Sequence, residues 1–374
     1  MKVLLGFSGG VDSAISAYLL KKQGYEVTGC FMRNWDALAN GDYLGNPTVN
    51  DSQCPQEKDY DDAKKAAAVL GIPLVRVDYV KEYWDDVFKE FLDLYAKGLT
   101  PNPDILCNSR IKFGPFLDYA LSHGYERIAM GHYARKVEKD GASYLAIPRD
   151  LDKDQTYFLL GLKEEQIAPS LFPMGEITKK EARALAREIG LPFLAEKHGS
   201  TGICFIGERH FRAFLTNYIP MKDGDIVEEK TGRKLGSHHG VFYYTLGQRH
   251  GLGIGGISGE EGGRYYVTRK DAVNNILYVQ KGDGDEGLYS DECFLASLNL
   301  VKERPSRVLA KFRYRSTAVE AKVEYPSSGE ARLLYPKEAK AVTPGQYAAL
   351  YSEDGRLLGG GQIASVYHKG ERRG

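Results

Sequence analysis

Phe7-Ser8-Gly9-Gly10-Val11-Asp12-Ser13 follows the apolar run Lys2 to Phe7 and precedes a helical pattern, Ala14 to Gln23, that Gly24 stops. A strand, a glycine pair flanked by hydroxyls and a helix in direct succession set the fold class. Glycines let the backbone approach a phosphate closely, and the N–H groups at a helix start, with its dipole, favour an anion. Ser8 and Ser13 add hydroxyl donors. The plainer alternative is a capping turn, with Asp12 or Ser13 as N-cap and nothing bound. The full string SGGVDS at the first strand–helix turn is far more specific than a glycine pair and favours the phosphate reading. No Gly-Lys-Ser/Thr follows, so this is not a Walker A loop.

Outward from that loop, strand and helix patterns alternate. Glu26 to Met32 reads as a strand, Tyr60 to Leu70 as a helix ended by Gly71-Ile72-Pro73, and Leu74 to Tyr79 as a strand. Tyr83 to Ala96 reads as a helix and Arg127 to Met130 as a strand. A long polar loop separates Asn40 from Gln56. Such alternation implies parallel βαβ units, hence an α/β domain whose ligands sit at the carboxyl ends of its strands. Beyond about residue 150 the pattern changes. Lys179 to Ile189 and His210 to Tyr218 look helical. From about residue 264 short β-type runs dominate: Tyr265 to Thr268, Ile276 to Gln280, Val308 to Tyr314, Ala318 to Tyr325 and Tyr347 to Tyr351. These suggest a small all-β barrel.

A chain of 374 residues suggests two or three domains, and 43% hydrophobic with 27% charged residues is an ordinary globular balance. No apolar run approaches the roughly 20 residues of a membrane span. The five cysteines, Cys30, Cys54, Cys107, Cys204 and Cys293, are odd in number and contain no CxxC pair. That disfavours a disulfide scaffold or a simple zinc site and fits a reducing cytoplasm. The net charge of zero gives no general signal for nucleic-acid binding. Any such contact needs a local patch. Val301 to Lys322 offers Lys302, Arg304, Arg307, Lys311, Arg313, Arg315 and Lys322 against Glu303 and Glu320.

Two segments offer reactive thiols. Thr100-Pro101-Asn102-Pro103-Asp104-Ile105-Leu106-Cys107-Asn108 is stiffened by prolines and sets an acid three residues before a cysteine. Asp104 could act as a base or orient a nucleobase, and Cys107 could be a nucleophile. Equally, Asp104 could cap a helix starting near Ser109, with Cys107 a small buried hydrophobe. Cys204 lies in Ser200-Thr201-Gly202-Ile203-Cys204-Phe205-Ile206-Gly207, where inert core is again the alternative. Gly251-Leu252-Gly253-Ile254-Gly255-Gly256 satisfies GxGxxG, yet it follows no strand and opens no helix, so we read a loop. His132 has no second ligand at metal spacing, which favours a structural or nucleotide-shaping role. Most of the 25 tyrosines are expected in the core.

In order along the chain stand SGGVDS, FMRNW (Phe31 to Trp35), TPNPDILCN, GHYAR (Gly131 to Arg135), KDQTYFL (Lys153 to Leu159), STGICFIGER (Ser200 to Arg209), LGQRHGLGIGG (Leu246 to Gly256), KFRYR (Lys311 to Arg315) and GGGQIA (Gly359 to Ala364). In these motifs the chain resembles the bacterial tRNA-specific 2-thiouridylases, members of the PP-loop ATP pyrophosphatase superfamily, nearly end to end. The resemblance implies a PP-loop ATP-binding catalytic domain over residues 1–204, with a parallel sheet. It also implies a small mixed central tRNA-binding domain over 205–284 and a C-terminal all-β barrel over 285–374. It implies ATP, with Mg2+, at Gly6, Phe7, Ser8, Gly9, Gly10, Val11, Asp12 and Ser13, and adenosine contacts from Met32 and Gly131. Asn102, Pro103 and Asp104 would face the target base. Cys204 would carry persulfide sulfur, with Cys107 the second catalytic thiol and Asp104 a catalytic acid–base. Lys153, Asp154, Gln155, Arg313 and Tyr314 would touch tRNA. Implied partners are tRNAs for Lys, Glu and Gln and a persulfide relay fed by a cysteine desulfurase, with no membrane involved. Four departures stand out: Ala14 for a serine, Arg110 for a glutamate, Met130 for a threonine, and His198-Gly199 for Lys-Asp.

The implied chemistry is adenylation of the C2 oxygen of the wobble uridine, followed by persulfide transfer to give 2-thiouridine. Two rivals remain at this stage. One is an amidating PP-loop enzyme, for which no glutaminase signature is visible. The other is a tRNA-binding protein that no longer catalyses.

Overall fold

The structure, a computed structural model, describes residues 1–47, 55–197, 211–254, 265–282 and 286–373. It begins with β1 (Lys2–Gly6), α1 (Val11–Lys22), β2 (Glu26–Arg33), α2 (Pro55–Leu70) and β3 (Leu74–Asp78). Then come α3 (Val80–Tyr83), α4 (Lys89–Ala96), α5 (Pro103–Cys107), α6 (Pro115–Ser122), β4 (Arg127–Ala129), the hairpin β5 (Arg135–Lys139) and β6 (Ala142–Ala146), α7 (Glu164–Ile167) and β7 (Ser170–Leu171). The first sheet runs β3-β2-β1-β4-β7, and its pairs are parallel. The chain winds outward from β1 to β3, then returns to lay β4 against the other side of β1. The turn after β1 therefore sits at a topological switch point, where open α/β sheets bind ligands.

Alternating side chains of β1 feed two cores, as a period of two requires. Val3 and Leu5 join Ala14 and Ile15 of α1, Ala63, Ala66 and Ala67 of α2, and Ala182 and Ala186 of α8 (Lys179–Glu188). Leu4 joins Cys30, Ile128, Phe88, Phe91, Ile105 and Cys107 on the other face. Small residues dominate the first interface because α1 and α2 lie close over the sheet.

After α8 come α9 (Pro192–Glu196) and α10 (Phe211–Thr216). The central sheet has the order β10 (Tyr265–Asp271), β11 (Ile276–Lys281), β8 (Gly224–Glu228), β9 (Lys234–His238), and is mixed because β11 pairs β8 in parallel. The barrel takes β12 (Tyr289–Leu300), β13 (Arg307–Lys311), β14 (Val319–Glu324), β15 (Ala331–Lys340), β16 (Tyr347–Tyr351) and β17 (Arg356–His368). Its strands run β12-β15-β14-β13-β16-β17 and close through β12–β17 pairing, while the short β18 (Glu371–Arg372) pairs β17. The β5–β6 hairpin joins the same sheet, with Ala146 opposite Arg356 and Leu145 opposite Leu357.

Four local expectations change. The helix expected from Tyr83 starts at Val80 and passes through a wide π-type turn, Trp84–Phe88. The helix expected near Ser109 starts at Pro103, capped by Asn102 and not Asp104. The strand expected through Tyr314 ends at Lys311, where a turn closed by Ser316 N–H donating to the Arg313 carbonyl (3.1 Å) takes over. The β5–β6 hairpin was not expected at all.

Candidate active site

At the phosphate loop the N-cap is Gly10, and no side chain caps the helix. Neither Asp12 nor Ser13 serves the capping role open to it. Ser13 Oγ donates to the Gly10 carbonyl (3.0 Å) and accepts from Ser8 N–H (3.3 Å), and the two hydroxyls lie 3.4 Å apart. The Asp12 carboxylate turns away, accepting from Lys179 Nζ at 2.7 Å on both oxygens and from the Tyr133 hydroxyl at 3.0 Å. Burial, then that carboxylate, hold the Tyr133 hydroxyl protonated far above a phenol's ordinary range. Lys179 thus offsets a negative charge that would repel a phosphate, and the positive end of α1 stays without a side-chain acceptor.

Gly9 has φ +72°, and a Cβ there would lie 2.1 Å from the Asp59 carbonyl of α2. Lys197 Nζ reaches the Gly9 carbonyl (3.3 Å), Asp59 (2.7 Å) and Asp62 (2.8 Å). Burial pulls its pKa down, but hydrogen bonds to Asp59 and Asp62 outweigh that, and the net direction is up. Met32 and Gly131 both border this loop. A Cβ on Gly131 would meet Ser13 N at 3.1 Å, and one on Gly6 would meet Met130 Sδ at 2.7 Å and Met32 Cε at 3.1 Å.

The thiol helix α5 lies against the opposite face of the sheet. Asn102 Oδ1 accepts from Asp104 N–H at 3.1 Å, and Pro103 fills the first helical position, where its missing N–H is harmless. Asp104 is half-buried in the first turn. Cys107 is fully buried and shares one core cluster with Met32 and Met130, which close over Gly6. Asn108 Nδ2 donates to the Phe158 carbonyl (2.9 Å), tying the π-type turn that follows α5 to the KDQTYFL motif. Arg110 points to Glu90 (2.5 Å) and the Asp86 carbonyl (2.7 Å).

His132 is neutral. Burial, then Lys112, push its pKa well below the ordinary value, and its buried Nδ1 has no hydrogen-bond partner. Among the described residues no three His, Cys, Asp or Glu side chains gather to hold a metal ion.

The residues tied by resemblance to tRNA split into two kinds. Lys153 is exposed and Gln155 is half-buried, its Oε1 accepting from Tyr133 N–H at 2.9 Å. Asp154 is buried, with one oxygen accepting from Thr156 and the other from Lys311 Nζ at 3.0 Å, so it links the α/β domain to the barrel. Arg313 donates to Thr343 Oγ1 (2.9 Å), and burial lowers its pKa. Tyr314 packs on Phe158 with centroids 4.4 Å apart. The stretch Val301 to Lys322 is not one basic face: Lys311 pairs with Asp154, Lys322 with Glu324, and Arg304 donates to the Ser328 carbonyl. Cys204, with its motif and His198-Gly199, lies outside the described residues. So does Cys54. A groove of about 790 Å³ lined by Leu19, Leu20, Phe172 and Leu185 lies at the far end of α1 from the phosphate loop. Sequence reading passed over Lys179, Lys197 and Tyr133, although Thr178-Lys179-Lys180-Glu181 is a capping-box signal that forms here.

A parallel α/β domain with an uncapped glycine loop at its switch point has the architecture of a nucleotide-binding domain. Residues 1–208 match the family described as tRNA methyl transferase HUP domain. Residues 212–281 match the tRNA methyl transferase PRC-barrel domain, and 290–363 the aminomethyltransferase beta-barrel domain. A protein named tRNA-specific 2-thiouridylase MnmA from Mycoplasmopsis pulmonis is 47% identical over 93% of this chain and 92% of its own. One of the same name from Acholeplasma laidlawii is 47% identical over 100% of this chain and 98% of its own. The chain belongs to the tRNA-specific 2-thiouridylase family, enzymes that transfer sulfur to tRNA. Among the described residues no helix is long and apolar enough to cross a membrane.

Proposed function

We propose that the chain replaces the C2 oxygen of the wobble uridine of tRNA with sulfur, at the expense of ATP. One observation carries this reading best: an uncapped glycine loop, its Asp12 neutralised by Lys179, stands at the switch point of the parallel sheet in a chain that matches thiouridylases along its length. The residues fit a triphosphate. Gly9 admits no Cβ, Asp12 is neutralised by Lys179, and Ser8 and Ser13 present hydroxyls to the loop. ATP supplies activation, since AMP placed on the oxygen turns a poor leaving group into a good one. Magnesium arrives with its phosphates, screening their charge.

The chain's own groups do the rest. Backbone N–H groups from Gly9 to Val11 and the two serines hold phosphate; Met32 and Gly131 shape the adenosine side. Asn102, Pro103 and Asp104 face the base, with Asp104 handling the uridine N3 proton or fixing the ring. A persulfide on Cys204 forms the new bond to C2 as the activated oxygen departs with AMP. The Cys107 thiolate breaks the remaining S–S bond, giving a Cys107–Cys204 disulfide that a thiol reductant reopens, or it releases sulfide from the persulfide beforehand. Cys107 is buried, so its thiol would meet the persulfide only after a local rearrangement of the side chains over it. Lys153, Gln155, Arg313 and Tyr314 border the tRNA path. Lys, Glu and Gln tRNAs, a desulfurase-fed persulfide relay and a cytoplasmic setting complete the reading.

The test is nucleoside mass spectrometry on tRNA incubated with purified chain, ATP and a persulfide donor. We expect 2-thiouridine and AMP in equal amounts, and none of either without ATP. Full turnover by Cys204→Ser would point to an amidating enzyme, and no AMP at all to a tRNA binder.

A further inference from the structure

Thr100 roots the segment that carries Asp104 and Cys107, and every polar group of its side chain and backbone is engaged from another domain. Its N–H donates to the Pro344 carbonyl at 3.3 Å, and its carbonyl accepts from Gln346 Nε2 at 2.8 Å, both at the barrel. Its hydroxyl oxygen lies 3.3 Å from Lys270 Nζ, on β10 of the central sheet. The packing is as tight as the hydrogen bonding. A Cβ on Gly345 would sit 2.7 Å from both Thr100 N and Leu99 Cβ, and one on Gly98 would sit 2.8 Å from Ala272 Cβ. Thr100 is only 8% exposed.

Displacement at Thr100 has little room to relax before the acid. Pro101 and Pro103 fix two of the next three φ angles, and Asn102 is committed to capping Asp104 N–H. The barrel-side grip continues to a residue tied to tRNA, because Arg313 donates to Thr343 Oγ1 and Gln346 N–H donates to the Thr343 carbonyl at 3.1 Å. The central-domain grip is a single cation. Burial pushes the Lys270 ammonium down to about 8, and Thr100 is the partner it has among the described residues. A position serving packing alone would be met more cheaply by an apolar side chain, since a half-buried ammonium on a neutral hydroxyl sacrifices hydration.

We propose that Lys270 is a positioning residue for the Asp104–Cys107 helix, fixing Thr100 from the central domain so that the acid and thiol stand correctly against the phosphate loop. The proposal rests on the thiouridylase reading of Asp104 and Cys107. It makes the central domain part of the catalytic framework as well as a surface for tRNA. Misplacing reactive groups by about 1 Å can cost on the order of 100-fold in rate without weakening substrate binding.

The experiment compares the full chain with Lys270→Met, Lys270→Arg, Thr100→Val and the double variant Lys270→Met/Thr100→Val, by thiolation kinetics and by hydrogen exchange of residues 99–107. Lys270→Met should lower kcat about 10-fold or more and leave KM for tRNA within about twofold. Thr100→Val should match it, the double variant should fall no further, and Lys270→Arg should recover to within about threefold of the parent. Exchange at Asn102 and Asp104 through Cys107 should quicken in Lys270→Met, because the root of the segment is loosened. Losses that multiply in the double variant, a loss confined to KM, or unchanged exchange in both single variants would overturn the proposal. Should the parent chain make no 2-thiouridine, the function reading falls, while exchange still decides whether Lys270 holds the segment.

Discussion

The phosphate loop and the thiol segment, which the proposed reaction would use together, are built on opposite plans. Ser8, Gly10 and Ser13 bond to one another within five residues. Thr100 is held by partners 170 and 246 residues away in sequence. A site that must cradle a common phosphate group can be closed by local geometry. On the proposed function, a site that must meet one base of one folded RNA is instead set by contacts from two other domains. The contrast teaches that one segment is held locally and the other from distant domains, so that under the proposed function activation and selection would be mechanically separate, and it can be broken at several points.

The largest effect should come from Cys107→Ala, which should lower 2-thiouridine formation by about 1000-fold or more by mass spectrometry, with the fold retained. Next is Gly9→Ala, where a left-handed φ and a carbonyl 2.1 Å from the new Cβ should cost about 3 kcal/mol or more. Calorimetry should show a fall in Tm on the order of 6 °C, and AMP formation should collapse. If the two regions are independent, exchange at the thiol segment stays as it was. Asp154→Asn strips the charge from a buried link between the α/β domain and the barrel, leaving Lys311 unmatched, and should cost about 2 kcal/mol in denaturant unfolding. Lys179→Met leaves Asp12 facing an incoming phosphate uncompensated, and should raise the Kd for ATP about 10-fold, or about 1.4 kcal/mol, by calorimetric titration. The smallest effect concerns pH. His132 has a depressed pKa in the fold, so below about 6.5 the unfolded chain binds the extra proton. Its contribution is complete above that pH and is lost as pH falls, by at most about 1.4 kcal/mol per unit. Melting curves from pH 7 to 6 should show this slope, and His132→Asn should flatten it.

This contrast also explains what the sequence let us read. SGGVDS announced its own geometry because its interactions are local, and β1, α1 and β3 fall within one to three residues of expectation. Ala63, Ala66, Ala67 and Leu70 kept their helical spacing as buried contacts of α2. The cap of α5 was misassigned because Asn102, Asp104 and Asn108 all suit capping, and only the prolines' placement separates them. Val301 to Lys322 reads as a basic patch on paper, yet strand alternation and the turn after Lys311 send its charges to Asp154, Thr343 and Glu324. No local signal marks Lys270, whose importance lies in a partner 170 residues away. The β5–β6 hairpin was legible: Asp140-Gly141 is a hairpin pair, and both residues adopt positive φ, 51° and 72°. Its pairing to β17, more than 200 residues further along the chain, carries no local signal.

That hairpin has a practical consequence for anyone dissecting the molecule. Excising residues 285–374 as a free barrel would strip β6 from β17, leaving backbone donors and acceptors beside Arg356 and Leu357 open to pairing with a neighbouring copy. Transplanting the barrel between relatives therefore means carrying Arg135–Ala146 with it, although those twelve or so residues are encoded some 140 positions upstream. The gene can be cut where the chain looks separable; the folded sheet cannot.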